Sequence, residues 1–255
     1  MSHANTIWIQ SCSAESDAGI WGTYQASVRR HARAVVRKGL EVEFHGISRT
    51  YPGIDYVDSA IQLATREVVR NAIQAEQAGY AAFAFISTND AGNREVRELT
   101  GIPSAFIAEA ASRSAAQNGG RFAFLTHNPG SLRKMEELAA ARFGLGAQLV
   151  AGASADFTYN DFTGMYADPA PVLDRLRQEA RGAIARGARV LVPAGGPLNM
   201  FLVDQGLREV DGIPLIDIHG VTFKEAERLA DLKAPAAPAL AAAQREPLRA
   251  LYLAQ

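Results

Sequence analysis

The chain is poor in what several large protein classes need. Its 255 residues include one cysteine, Cys12. A single thiol can close no internal disulfide and build no thiolate metal cluster. No sign of charge prevails: 26 Lys+Arg stand against 27 Asp+Glu, a formal net charge of −1. Such a chain has no basic field to attract nucleic acid or anionic lipid, so neither is expected as a partner. No apolar run reaches membrane-spanning length. The opening MSHANTIWIQ lacks the basic and then apolar regions of a signal peptide. No Gly-x-Gly-x-x-Gly follows the first predicted strand and no P-loop is present, so nucleotide and dinucleotide cofactors are not expected. These absences fit a cytoplasmic location, and no cofactor is expected.

What is present is core-forming material. Hydrophobic residues make up 48% and charged residues 21%, enough apolar surface for one large domain or two small lobes. Short apolar runs alternate with helical periodicity. Strands are predicted over 6–9, 41–45, 81–86, 104–107, 121–125, 148–151, 190–192 and 215–218. Helices are predicted over 24–38, 59–77, 95–99, 131–143 and 171–185. Strands separated by helices imply parallel βαβ units.

The chain also echoes itself. Gly79-Tyr80-Ala81-Ala82-Phe83-Ala84-Phe85-Ile86-Ser87 precedes Gly101-Ile102-Pro103, and Gly187-Ala188-Arg189-Val190-Leu191-Val192-Pro193-Ala194-Gly195 precedes Gly212-Ile213-Pro214. Each copy reads as a helix-ending glycine, a buried strand, a turn of small residues, a helical stretch and a proline-led strand. The expected fold is α/β, with two similar Rossmann-like (flavodoxin-like) lobes, parallel sheets and a cleft between them. The lobes are expected over 1–115 and 116–218. A helix over 219–232 then crosses back, followed by an Ala/Pro-rich linker and a terminal helix over 233–255. The terminal helix, placed at 246–253, suits packing or an oligomer contact, and a homo-oligomer is compatible with it. Open α/β sheets bind ligands at strand C-terminal ends, which puts both turns at a candidate site.

Those turns carry a family resemblance. GYAAFAFISTNDAGNREVRELTGIPSAFIAEAA is similar to the first active-site segment of hydantoin racemases, and GARVLVPAGGPLNM…GIPLIDIHGVTFKEAERLADL to their second. The chain, over roughly residues 6 to 232, resembles the aspartate/glutamate/hydantoin racemase superfamily, which also holds arylmalonate decarboxylases and maleate isomerases. The resemblance implies a mechanism in which two thiols on opposite faces of a carbon remove and return a proton, while turn N–H groups and hydroxyls hold the carboxylate. It also marks where this chain departs. The first thiol position is Ser87, and the second is Gly195, or Ala194 if the register slips by one.

Other residues take their expected roles from the same resemblance. Gln10-Ser11-Cys12-Ser13 falls at the family's first substrate-binding turn, although Cys12 reads equally as a structural thiol. Ser87-Thr88-Asn89 matches the dioxyanion turn of arylmalonate decarboxylases, and reads equally as a strand-to-helix cap, a role open to Asp90 as well. Thr126-His127 falls in their carboxylate pocket, and Ala194-Gly195-Gly196 at their second-lobe turn.

Four residues are candidates for the catalytic chemistry: His127, Ser87, Asp217 and His219. His127 stands at a predicted strand end and carries the side-chain type suited to acid–base work at ordinary pH, against a reading as a surface-loop histidine. Asp217 and His219 would point to one face of a strand as base and orienting carboxylate, as metal ligands, or as strand-end polarity. The substrate-binding candidates are Gln10, Ser11, Cys12, Thr88, Asn89, Thr126, Gly195 and Gly196. A metal site from His45, His127, Asp217 and His219 lacks any ligand spacing motif, so no metal is expected. Tyr159, Asp161 and Tyr166 in FTYNDFTGMY suit a lid, or a packed surface loop. With both thiols replaced, the expected activity is a non-racemising lyase, decarboxylase or hydrolase acting on a small carboxylate or cyclic amide. Racemisation with unusual bases and non-catalytic ligand binding are the alternatives.

Overall fold

A computed structural model describes residues 3–157, 159–232 and 240–254. The chain divides into two compact units, Met1–Ile107 with Thr222–Gln255, and Ala108–Val221.

In the first unit, β1 (Thr6–Ala14), β2 (Glu41–Ile47), β3 (Ala82–Phe85) and β4 (Ser104–Phe106) form one parallel sheet in the order β2-β1-β3-β4. β3 is AFAF with all four residues buried, as expected of a central parallel strand covered on both faces. The crossovers are α1 (Ala18–Val35), α2 (Asp58–Gln77) and α3 (Asn93–Leu99). Ala64, Val68, Ala72 and Ala75 of α2 recur at helical spacing and pack on Phe83, Phe85 and Phe106.

In the second unit, β5 (Phe122–Thr126), β6 (Ala153–Ser154) and β7 (Val190–Pro193) pair in parallel in the order β6-β5-β7. Leu149 bridges Phe122 and Leu215 bridges Leu191, both in parallel. With Leu215 in the place of β4, this order repeats that of the first sheet. The two copies of the internal echo therefore supply equivalent strands, β3 and β7.

Helices α4 (Ile107–Gly119), α5 (Pro129–Glu137), α6 (Tyr159–Gly164), α7 (Pro169–Ala185) and α8 (Gly196–Asp204) complete this unit. A two-residue hairpin of β8 (Glu209–Val210) and β9 (Ile213–Pro214) follows. α9 (Ile218–Asp231) and α10 (Ala242–Leu253) end the described chain. Arg249 of α10 pairs with Glu76 and donates to the Leu99 carbonyl, which ties the terminal helix to the first unit. Residues 233–239 of the expected linker lie outside the described residues.

Three expectations need correction. The strand expected over 215–218 stops at a single bridge, because Asp217 caps α9: its carbonyl accepts from Val221 N–H and its carboxylate from Gly220 N–H. The helix expected over 131–143 is α-helical only to Glu137 and then loosens into a π turn over Leu138–Arg142. The strand expected over 148–151 is one bridge, and regular pairing resumes at Ala153 after Gly152 N–H turns aside to Glu136.

Candidate functional site

At the C-terminal end of the first sheet the side chains of β1 and of the turn after β3 are uncharged and largely tied to one another, with the Asp55 and Glu67 carboxylates in electrostatic reach of Cys12. Gln10 is saturated. Its oxygen accepts from Trp8 Nε1 (2.9 Å) and Asn71 Nδ2 (3.0 Å), and its nitrogen donates to the Ser11 (2.9 Å) and Gly46 (3.0 Å) carbonyls. A primary amide has no further capacity, so Gln10 braces the strand and offers no hydrogen bond to a ligand. The Ser11 and Ser13 hydroxyls pair at 2.8 Å.

Cys12 N–H donates to Ser87 Oγ at 2.9 Å. The Cys12 thiol is buried, and that burial pushes its ionisation up to about 12 against the opposing hydrogen bonds of Ser87 and Asn89. It carries essentially no thiolate near neutral pH, and a thiolate is what acts as base or nucleophile. Ser87, bound to Cys12 through both partners, has no activating base among these contacts.

Asn89 donates to the Ile54 carbonyl (2.7 Å) and accepts from Ala91 N–H (2.9 Å). Thr88 is buried, and among the described residues its hydroxyl makes no hydrogen bond. The cap reading of this turn fails, because α3 begins only at Asn93, after Asp90 turns left-handed with φ 48° and Gly92 with φ 76°. The field of a helix end fades within a turn, so an anion here relies on hydroxyls and loop N–H groups. Sequence reasoning missed Tyr24 of α1. Burial, with Asp55 and Cys12 in electrostatic reach, holds its phenol protonated. Nothing in the helical pattern sets it apart from an ordinary core aromatic.

The end of the second sheet is built differently. β5 runs out at Thr126, whose hydroxyl donates to the Asn128 carbonyl at 2.9 Å. Asn128 caps α5, accepting from Ser131 N–H at 2.8 Å, with Pro129 in the first turn. His127 is held between strand end and cap and is 9% exposed, which rules out the surface-loop reading. Its ring meets Phe162 edge to face at 5.2 Å, and its carbonyl accepts from Phe157 N–H at 2.7 Å.

Across from it, the β7 turn passes through Gly195 directly into α8. A Cβ on Gly195 would stand 3.1 Å from His127 Nδ1. A side chain at 195 would therefore crowd the imidazole, which would have to give by a few tenths of an ångström. Gly196 begins α8, so this turn does open a helix.

The aromatic segment packs rather than standing open. Phe157 and Met165 lie in a buried cluster with Val172, Leu198 and Phe201, against which Phe162 and Tyr166 pack. The Tyr166 hydroxyl donates to Asp204 at 3.1 Å. Asp161 falls in the first turn of α6, and the side chain of Tyr159 lies outside the described residues.

Asp217 and His219 do not share a strand face. Asn199 of α8 stands between them, with its nitrogen 3.1 Å from Asp217 Oδ1 and 3.0 Å from His219 Nδ1. His45 belongs to the first unit, stacked on Trp8 at 3.4 Å. Among the described residues no three His, Cys, Asp or Glu side chains are grouped so as to hold a metal. No described helix is long and apolar enough to cross a membrane.

Comparison with known proteins places this arrangement. The chain is similar in structure to an allantoin racemase from Klebsiella pneumoniae, at 21% identity over 91% of this chain and 90% of that one, with a TM-score of 0.75. It is similar to a glutamate racemase from Bacillus anthracis at 12% identity, over 99% and 95%, with a TM-score of 0.64. It is also similar to an unliganded arylmalonate decarboxylase at 18% identity, over 88% and 92%, with a TM-score of 0.51. At these identities the likeness is one of fold. No curated protein sequence matches the chain. The family model for Asp/Glu/Hydantoin racemase matches residues 22–226, and the chain therefore belongs to the Asp/Glu/hydantoin racemase family.

Proposed function

We propose that this protein is a cofactor-independent enzyme acting on a small carboxylate or a cyclic amide of the hydantoin or imide type. Its reaction stabilises negative charge and moves a proton from one side only: a decarboxylation, an elimination or a hydrolytic ring opening. The observation that carries this reading is the His127–Gly195 contact. At the second position where the family resemblance puts a thiol, the backbone is bare and a Cβ there would crowd an imidazole nitrogen at 3.1 Å. The other thiol position is Ser87, and the one cysteine is a buried, protonated Cys12. In this reading Thr88 and the loop N–H groups of Ser87-Thr88-Asn89 are the anion-binding groups that the first unit offers, and His127 is the general acid–base group that the second unit offers. Gly195 and Gly196 let the backbone approach the substrate closely.

Racemisation or isomerisation is the second reading, favoured by the fold shared with allantoin racemases. It needs a second base that is not a thiol. One assay separates the readings. The purified protein is incubated with malonates, hydantoins, imides and allantoin, and each reaction is followed by mass spectrometry and polarimetry. Loss of carbon dioxide or gain of water supports the one-sided reaction. Loss of optical rotation at constant mass supports racemisation. Ligand-induced thermal stabilisation without turnover of any compound would mark a binding protein. Turnover should persist in a chelator.

A further inference from the structure

We propose that Asn199 is a positioning residue that holds His219 as a neutral imidazole with its proton on Nε2. His219 then serves as a fixed hydrogen-bond donor, and His127 is the histidine of the second unit that exchanges protons. The assignment of proton exchange to His127 rests on the proposed function; the tautomer of His219 does not.

The argument begins with which end of the Asn199 amide is oxygen. Ile218 N–H donates to Asn199 Oδ1 at 3.1 Å. Turned over, the amide would set its NH2 against that N–H and its oxygen against the Asp217 carboxylate. Both contacts would be repulsive in a buried setting, where a mismatched polar group costs most. The nitrogen end therefore faces Asp217 Oδ1 (3.1 Å) and His219 Nδ1 (3.0 Å). An amide NH2 only donates. His219 Nδ1 must accept, so the ring proton sits on Nε2. An imidazolium there would set an N–H against an NH2 inside a ring that is 0% exposed.

The surroundings fix the same geometry from the other side. The Asp217 carboxyl is held by Gly220 N–H (3.0 Å) as well as by Asn199. A Cβ on Gly220 would stand 2.4 Å from Asp217 Oδ2, so glycine is what lets the carboxylate fold back over the start of α9. From α8 the neighbours are neutral: Asn199 itself and, 3.9 Å from its nitrogen, the Met200 thioether. An amide thus stands between this carboxylate oxygen and the imidazole Nδ1. This is unlike the dyad in which a carboxylate bonds directly to Nδ1–H and makes the far nitrogen a base.

The test is a long-range proton–nitrogen spectrum of the imidazole nitrogens in the full-length labelled protein at pH 7. His219 is assigned by difference with His219→Gln. The expected result is an unprotonated Nδ1 and a protonated Nε2. A protonated Nδ1, alone or together with Nε2, would overturn the proposal. Asn199→Asp replaces the donor with a second carboxylate, and both nitrogens of His219 should then carry protons. An unchanged His219 spectrum in folded Asn199→Asp would also overturn it. If that variant does not fold, the unmutated spectrum still decides. Failure of the functional reading is seen elsewhere, as turnover that survives His127→Gln, and leaves the tautomer result intact.

Discussion

The two sheets share one strand order but end in opposite chemistry. After β3 the turn is rich in side-chain donors, Ser87, Thr88 and Asn89, yet three more residues pass before a helix begins. After β7 the turn is two glycines that open a helix at once, and a titratable side chain beside it, His127, follows the end of the neighbouring strand β5. Around the first turn, burial keeps both the Cys12 thiol and the Tyr24 phenol protonated. Duplicated topology therefore supplies two equivalent places, and in the proposed reading local residue choice makes one an array of uncharged donors and the other the seat of proton exchange. A two-base reaction needs like groups at both places. In the proposed reading this chain keeps the scaffold for that symmetry without the groups.

The strongest way to break the comparison is to remove the proton-exchanging side. His127→Gln keeps a polar side chain and loses the titratable ring. Turnover should fall by roughly 10²- to 10⁴-fold, the usual share of a general acid–base group, with the melting temperature little changed. If steady-state turnover stays within a factor of three, the contrast between the two turns has been misassigned.

Next is the donor side. Thr88→Val keeps the shape of a buried side chain and removes its hydroxyl. Loss of one preorganised donor costs about 3 kcal/mol, about a hundredfold in turnover. A defect accounted for wholly by unfolding, read from thermal denaturation, would leave this turn with a packing role only.

A smaller effect is expected from filling the gap on the second side. In Gly195→Ala the new methyl meets His127 Nδ1 at 3.1 Å, tighter than ordinary packing, so the ring must shift. Overpacking of this kind costs roughly 1–3 kcal/mol. Turnover should drop about tenfold or more, and the effect should vanish in the His127→Gln background. Additive losses in the double variant would show that the two positions do not compete for the same space.

How much of this was legible depends on the range of the interactions. The core strands announce themselves as apolar runs, and AFAF and VLVP became β3 and β7. The repeated glycine–strand–turn pattern revealed the duplicated sheet because each copy is local. α4 was missed because β4 passes into it without a break, with Phe106 ending the strand and Ile107 starting the helix. The helix start at Ile218 was read as strand because Leu215-Ile216-Asp217-Ile218 is mostly apolar and rich in β-branched isoleucine, while the cap that begins α9 depends on how Asp217 folds back over Gly220.

The site was legible by position and not by partner. Gln10 and Thr126 stand near the strand ends where expected, but contacts spend Gln10 entirely and engage the Thr126 hydroxyl. Asn199 had no sequence signal because its partners lie 18 and 20 residues away. The space shared by His127 and Gly195 likewise exists only once β5 and β7 pair.

The smallest effect on activity is expected at Cys12, and it tests whether the first side is truly neutral. Burial raises the thiol from its ordinary 9.0 to about 12. The native protein should therefore resist alkylation near neutral pH and react only when unfolded. Cys12→Ala should keep turnover within a few-fold, since the thiol is neither base nor nucleophile in the proposed reaction. Stability should show what activity does not. The folded state disfavours the thiolate, and the unfolded chain releases the proton near 9. The contribution of the neutral thiol is thus fully present below pH 9 and is lost as pH rises toward 12. The loss amounts to about 1.4 kcal/mol per pH unit across that window. Tyr24, also held protonated, adds an alkaline loss of its own to both proteins. Denaturant melts of the parent and Cys12→Ala at pH 8, 9, 10 and 11 isolate the thiol. The parent should lose stability more steeply above pH 9, and the two curves should run parallel below it. Parallel curves throughout, or rapid alkylation of the folded protein at pH 7.5, would mean that the thiol ionises in the native state. The first turn would then hold a base, and the chemical asymmetry between the two sheet ends would disappear.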